Sequence, residues 1–208
     1  MLCGARAPHA VACVECAKSL PRTAATCPRC ALPMSVGELC GRCLRHPPAF
    51  DAALAAFEYR FPVDRLVKRF KFSGDLATGR WLAMQLARRV REVPLPALLV
   101  VPALTRARLR RRGFNQALEI ARHLGRPIAP RGVLRVKHTP PQTELPYEER
   151  AKNVRGAFLC KLDLSGARVA VLDDVMTTGA TLNELARVLK RAGATRVENF
   201  VIARTVPR

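Results

Sequence analysis

The stretch Arg168–Leu189, RVAVLDDVMTTGATLNELARVL, decides the fold. It opens on Arg168–Leu172, apolar from Val169 onward, which predicts a strand covered on both faces. The strand runs into the acidic pair Asp173-Asp174. A loop of Thr, Gly and Ala follows, Thr177–Thr181, and then a helix over Thr181–Arg191 that Gly193 can stop. In an open α/β sheet, ligands bind beyond the carboxyl ends of the strands. The amides that open the next helix point at that position, and the helix dipole favours an anion there.

The residue types in this loop carry a definite chemistry. Thr177, Thr178, Gly179, Ala180 and Thr181 supply enough N–H and hydroxyl groups to wrap a phosphate. Gly179 permits close backbone approach and a positive φ. Ionised Asp173 and Asp174 only accept hydrogen bonds, which suits the two hydroxyls of a ribose; they also suit a hydrated Mg²⁺ carried by a diphosphate. A strand, an Asp-rich turn and a capped helix are each common alone, and much rarer in this order. Neither G-x-x-x-x-G-K-[ST] nor a strand followed by G-x-G-x-x-G is present. Val171–Leu182, VLDDVMTTGATL, resembles the binding signature of type I phosphoribosyltransferases for 5-phosphoribosyl 1-diphosphate (PRPP). The resemblance implies that Asp173 and Asp174 hold the ribose and Thr177–Thr181 the 5′-phosphate.

Outward from this stretch the pattern stays α/β. Strands are predicted at Ala52–Tyr59, Ala97–Pro102, Val133–Val136 and Arg196–Ala203. Helices are predicted at Val63–Phe72, Leu76–Val93 and Phe114–Leu124. Strands alternating with helices imply a mostly parallel sheet flanked by helices. The 208 residues suit one such domain plus a small cysteine-rich head. The composition shift near His46–Phe50 divides the chain into a head over 1–47 and an α/β domain over 48–208.

A basic run, Thr105–Asn115, follows the strand that ends at Pro102-Ala103, with five arginines between Arg106 and Arg112. Such a run is either a solvated helix or loop, or an anion site on the same sheet edge as the Thr/Gly loop. In the second case Ala103, Arg112 and Gly113 receive the diphosphate, since Arg binds such oxygens bidentately. Residues 137–153 are polar and proline-containing. They form either a surface linker or a lid using Gln142, Arg150 and Asn153.

Further segments extend the resemblance over essentially the whole chain. Phe70–Asp75 (FKFSGD), Arg112–Gln116 (RGFNQ), Gln142 with Arg150 and Asn153, and Gly156–Phe158 (GAF) fall in the order of the ComF family. That family joins a cysteine-rich head to a phosphoribosyltransferase-like domain. The resemblance implies a link to natural competence and the handling of single-stranded DNA, with no settled reaction.

Seven of the eight cysteines lie in the first 43 residues. Cys27-Pro-Arg-Cys30 and Cys40-Gly-Arg-Cys43 form CxxC-x9-CxxC, the pattern of a structural zinc site. The alternative, free thiols in a reduced core, suits a short polar segment poorly; zinc would supply its folding energy, on the order of 10–16 kcal/mol. A second site is incomplete: Cys13 and Cys16 make one knuckle, with only Cys3 upstream. Against the four knuckles usual in the family, Met1–Gly4 resembles the end of a Cys-x-x-Cys-Gly and implies a cysteine preceding Met1. If Met1 is the start, His9 is either a fourth ligand or a surface residue. Cys160 reads as a core thiol, and His46, His123 and His138 carry no partner pattern.

Lys and Arg number 36 against 16 Asp and Glu, a net charge of +20. This reflects either an arginine-rich solvated surface or a polyanionic partner. No apolar run reaches the roughly 20 residues of a membrane span, and no secretory leader is visible. The expected location is the cytoplasm, where thiols stay reduced. Three functions follow: a phosphoribosyltransferase using PRPP and Mg²⁺, a module that binds single-stranded DNA, or a PRPP-sensing regulator. The few aromatics disfavour a stacking platform for single strands.

Overall fold

The computed structural model describes residues 3, 11–22, 25–35, 38–94, 96–137 and 149–206, with backbone alone at 149–151. In chain order these form α1 (Val14–Lys18), α2 (Gly41–Arg45), β1 (Ala52–Glu58), α3 (Val63–Phe72), α4 (Leu76–Val90), β2 (Leu98–Val100), α5 (Arg106–Arg112), α6 (Gln116–Ala121) and β3 (Ile128–Ala129). There follow β4 (Val133–Arg135), α7 (Glu149–Val154), β5 (Phe158–Cys160), β6 (Arg168–Met176), α8 (Ala180–Arg191) and β7 (Arg196–Arg204). Among the described residues no helix is long and apolar enough to cross a membrane.

Five strands pair in the order β1-β7-β6-β2-β3, all parallel. Side chains alternate between two apolar layers, as the period of a strand requires. Val169, Val171, Val197 and Val201 face α8, while Ala170, Leu172, Phe200 and Ile202 face α3, α4 and α6. Each flanking helix buries one stripe: Val63, Leu66, Val67 and Phe70 on α3, and Leu182, Leu185, Ala186 and Leu189 on α8.

The connections place the site. From β2 the chain runs outward to β3; from β6, the adjacent strand, it runs the other way to β7. A crevice therefore opens between the carboxyl ends of β2 and β6, at the topological switch point where α/β proteins bind ligands.

Several predicted elements differ: the strand at Ala97–Pro102 is Leu98–Val100, the helix at Phe114–Leu124 is Gln116–Ala121, and three more differ for clear reasons. The strand expected to end at Leu172 continues to Met176, because Asp173, Val175 and Met176 stay paired with Val201, Ala203 and Arg204 of the equally long β7. The helix expected to reach Val93 ends at Val90, ahead of Pro94, which cannot continue it. Val133–Arg135 does not join the main sheet: it pairs antiparallel with β5 in a separate two-stranded sheet, while β3 takes the edge position beside β2. Phe158, Val133, Val154 and Ala157 pack this small sheet and α7 onto α8, and Glu184 of α8 accepts the Gly156 amide at 2.8 Å.

The cysteine-rich segment is not packed separately from the sheet. Cys27, Cys30 and Cys43 are buried in the same apolar cluster as Phe50, Met176, Leu182 and Leu185.

Candidate functional site

A cleft of about 560 Å³ lies at the switch point, within the range of small-molecule sites. One wall is the end of β6 and the start of α8, Asp173 through Leu182. The other is Pro102–Leu104 after β2, with Arg108, Arg111 and Arg112 of α5, and Asn115 and Gln116 at the start of α6. Tyr59, Lys68, Lys71 and Phe72 close it from the α3 side, and Arg135 from the small sheet.

The acidic pair is asymmetric. Asp174 is 8% exposed and pairs with Lys71, Nζ to Oδ1 at 2.6 Å. Asp173 is partly buried and accepts the Asp174 amide at 2.8 Å. Burial, and then the neighbouring Asp174 charge, push the Asp173 carboxyl up to about 7, against the pull of Lys71 and Arg112. One carboxylate is thus held by a cation, and the other titrates near neutrality.

Beyond the pair, Gly179 caps α8 in the left-handed region, φ 79°. A Cβ there would stand 2.7 Å from Met176 Cε, the end of a flexible side chain that would have to shift, so the turn itself calls for glycine. The Thr178 hydroxyl accepts the Ala180 amide at 3.1 Å and fixes the start of the helix. The remaining amides of the first turn point out of the helix end, where an anion is favoured.

Across the cleft, Arg106–Arg112 of the basic run form a short helix, α5, with defined ends. The Thr105 hydroxyl caps it, and Gly113, φ 76°, ends it. Asn115 holds this wall to the sheet: its Oδ1 accepts the Ala117 amide at 3.0 Å, and its Nδ2 donates to the Pro102 carbonyl at 3.1 Å. Arg112 donates to Gln116 at 2.9 Å and lies over the Phe72 ring at 5.6 Å. Its Nε is buried without a hydrogen-bond partner. Arg106 and Arg110 are exposed outside the cleft lining. Ala103 lines the cleft, whereas Gly113 ends α5 and does not line it.

Of the lid residues, Gln142 lies outside the described residues, as does the side chain of Arg150. Asn153 is partly buried on α7, which packs on α8, and does not line the cleft.

The head holds two thiol clusters. The Sγ atoms of Cys27, Cys30, Cys40 and Cys43 lie within 4.8 Å of one another, with Cys30 and Cys40 at 3.6 Å. A tetrahedral Zn–S₄ centre with bonds of about 2.3 Å has S–S edges of about 3.8 Å, so these residues fit zinc. Burial raises the Cys27 thiol, but the amides of Cys40, Cys30 and Arg29 outweigh it and hold the group at about 7. Burial raises Cys30 to about 11, and burial with the neighbouring thiol Cys30 raises Cys43. Four thiolates cannot coexist here without a cation. Cys3, Cys13 and Cys16 also converge within 4.8 Å, with Cys3 and Cys13 Sγ at 3.7 Å; His9 lies outside the described residues.

Among the cleft residues with no assigned role in the sequence are Tyr59, Lys68, Lys71, Phe72 and Arg135. Lys71 and Phe72 stand in the FKFSGD run, the only available signal. Periodicity points elsewhere, since Lys71 follows Phe70 just off the buried stripe of α3.

A parallel sheet, an acidic pair and a Thr/Gly loop at the switch point define a phosphoribosyltransferase-like domain. The phosphoribosyl transferase domain family matches residues 109–205. Along the whole chain, the DNA utilization protein YhgH of Salmonella typhi is 34% identical over 93% of this chain and 90% of that protein. Competence protein F of Haemophilus influenzae is 35% identical over 79% and 78%, and competence protein ComFC of Bacillus subtilis 29% over 95% and 86%. The chain belongs to this ComF family. Among solved structures, the purine phosphoribosyltransferase of Pyrococcus horikoshii Ot3 aligns at 22% identity over 61% of this chain and 73% of that one, with a TM-score of 0.39.

Proposed function

We propose that the cleft binds PRPP with Mg²⁺ and that the protein transfers its phosphoribosyl group to an acceptor used in the handling of single-stranded DNA. The observation that carries this is the facing of two anion walls across one acidic pair. Thr177–Thr181 at the start of α8 hold the 5′-phosphate. Asp173 and Asp174 accept from the ribose hydroxyls. Arg112, Arg108 and the backbone at Ala103 take the diphosphate. Mg²⁺ accompanies the diphosphate and neutralises part of its charge.

In the transfer the C1–O bond to diphosphate breaks and a bond from the acceptor nucleophile to C1 forms. The nucleophile's proton passes to solvent, and diphosphate leaves against the arginine wall. The chain's residues position the two ends and stabilise the departing charge; no side chain is assigned as general base. The names of relatives, competence and DNA utilization, support looking for the acceptor among nucleic-acid components. The two thiol clusters need a reducing compartment, such as the cytoplasm.

A second reading keeps the ligand and drops the reaction: a PRPP-responsive module that holds single-stranded DNA. The exposed Arg106, Arg110 and Arg111 of α5, of which Arg111 lines the cleft, favour it. Calorimetric titration of Mg²⁺-PRPP into wild type and Asp174→Asn tests the site; absence of binding by wild type ends both readings. Diphosphate release with bases, nucleotides and single-stranded DNA then separates them, since binding without turnover on any acceptor supports the module.

A further inference from the structure

The phosphate loop is tied to the cysteine-rich head by two arginines. Arg204, at the end of β7, is 2% exposed. Its Nε donates to the Cys30 carbonyl at 2.9 Å, inside the first metal knuckle. Its Nη1 donates to the carbonyls of Met176 at 2.9 Å, of Thr205 at 2.7 Å, and of Thr177. From the second knuckle, Arg42 donates to the Thr178 carbonyl at 3.2 Å. The Met176 carbonyl, at the end of β6, also accepts the Thr205 amide at 3.0 Å; those of Thr177 and Thr178, in the loop itself, are held on the head side by Arg204 and Arg42.

A trans peptide is planar, with its C=O and N–H pointing opposite ways. Holding the carbonyls of Met176, Thr177 and Thr178 toward the head therefore turns the amides of Thr177, Thr178 and Gly179 away from it. Those residues line the cleft. Successive amides aimed one way make an anion-binding concavity.

The knuckle end of the tie depends on the thiol cluster. Ala31 donates to the Cys27 carbonyl at 2.8 Å and Cys27 to the Leu32 carbonyl at 2.8 Å, closing the turn that presents Cys30. Ala31 sits at φ 55°, a left-handed conformation that alanine adopts at a cost. A metal bonded to all four thiolates would lock such a turn closed; protonated thiols, joined only by weak S–H contacts such as Cys30 to Cys40 at 3.6 Å, hold it far less firmly.

We propose that Arg204 is a positioning residue through which metal loading of Cys27, Cys30, Cys40 and Cys43 presets the phosphate loop. The head is then part of the anion site's scaffold, and phosphate affinity follows metal occupancy. This rests on the reading that the loop binds a phosphate.

The test uses the zinc-loaded full chain, with ribose 5-phosphate as probe. Compared are wild type, Arg204→Gln, Arg42→Gln and, as a charge-matched control, Arg89→Gln. Three quantities are read: zinc content, affinity, and amide hydrogen exchange. Arg204→Gln is expected to keep its zinc while affinity falls at least tenfold. Exchange of the Thr177–Thr181 amides should accelerate at least tenfold, with Leu98–Val100 unchanged. Arg42→Gln should lose three- to tenfold in affinity, and Arg89→Gln less than twofold. By linkage, saturating ribose 5-phosphate should shift the zinc–chelator competition equilibrium toward the protein in wild type and not in Arg204→Gln. Wild-type affinity and exchange in Arg204→Gln at full metal content would overturn the proposal. If Arg204→Gln does not fold, Arg42→Gln decides in the same way. If wild type binds no ribose 5-phosphate, the phosphate reading fails; amide exchange before and after zinc removal then decides the coupling.

Discussion

Lys71 Nζ stands 2.6 Å from Asp174 Oδ1, a mostly buried ion pair joining the end of α3 to the end of β6 at the switch point. It makes the two neighbouring carboxyls unequal. Asp174 has its own cation, whereas Asp173 bears the desolvation and the repulsion. Removing one partner of a buried pair leaves an uncompensated charge. Lys71→Met is therefore expected to lower stability by about 3 kcal/mol, toward the low end for buried pairs because both groups keep some exposure. Denaturant midpoints at pH 7 check it. Asp174→Asn in the Lys71→Met background should recover much of the loss.

Asp173 predicts a pH dependence of known sign. Its folded value, about 7, lies above the ordinary value of 3.8. The folded state then binds more protons than the unfolded state between these limits, and its stability from this group is full below pH 4 and lost as pH rises toward 7. Wild type should lose thermal stability over pH 5 to 7.5 relative to Asp173→Asn, with the two curves parallel above pH 8. Curves parallel across the whole range would mean that Asp173 is ionised throughout.

The sequence disclosed the strand–loop–helix turn at Asp173–Thr181 because its signals are local. An apolar run, an acidic pair and a Thr/Gly turn sit within a dozen residues. The same locality exposed the two cysteine knuckles. What stayed hidden is what the tertiary fold alone brings together. Lys71 lies 103 positions from Asp174 in the sequence, on a helix whose periodicity marks only Val63, Leu66, Val67 and Phe70 as buried. Arg204 reads as a charge ending a strand, yet it is buried against four carbonyls, one from residue 30. Val133–Arg135 looks like any strand, and its separate sheet follows from pairing with β5, which periodicity did not predict.

Zinc binding to the first cluster should be strongly pH-dependent. Cys30 and Cys43 are both held above the usual thiol value, so each must lose a proton when a metal enters. Competition with a chromophoric chelator from pH 6 to 8 should show apparent affinity rising with pH, with a slope of at least two protons per zinc. A slope below one would mean that the thiols are already ionised before metal arrives.

Gly179→Ala separates loop geometry from charge. The substitution puts a Cβ at φ 79° and 2.7 Å from Met176 Cε, a buried side chain. The conformation costs about 1–2 kcal/mol, and Met176 must also shift. Stability should fall by about 2 kcal/mol, and affinity for ribose 5-phosphate by more than tenfold, although no charged or hydrogen-bonding side chain is lost. Thr178→Val removes the hydroxyl that accepts the Ala180 amide and should cost about 1 kcal/mol.

Arg112 tests whether the two walls serve different ends of one ligand. Its guanidinium rests over Phe72, a ring 66% exposed at the cleft, and donates to Gln116, while its Nε lacks a hydrogen-bond partner. PRPP and ribose 5-phosphate share the 5′-phosphate and ribose and differ in the diphosphate on C1. A residue facing that diphosphate should discriminate between them; one acting only through the overall positive field should not. Arg112→Gln is expected to weaken Mg²⁺-PRPP by about tenfold, the order of one charge-assisted contact, while ribose 5-phosphate changes less than twofold. Equal losses for both ligands would assign Arg112 to the general field and leave the diphosphate to Arg108 and the backbone at Ala103.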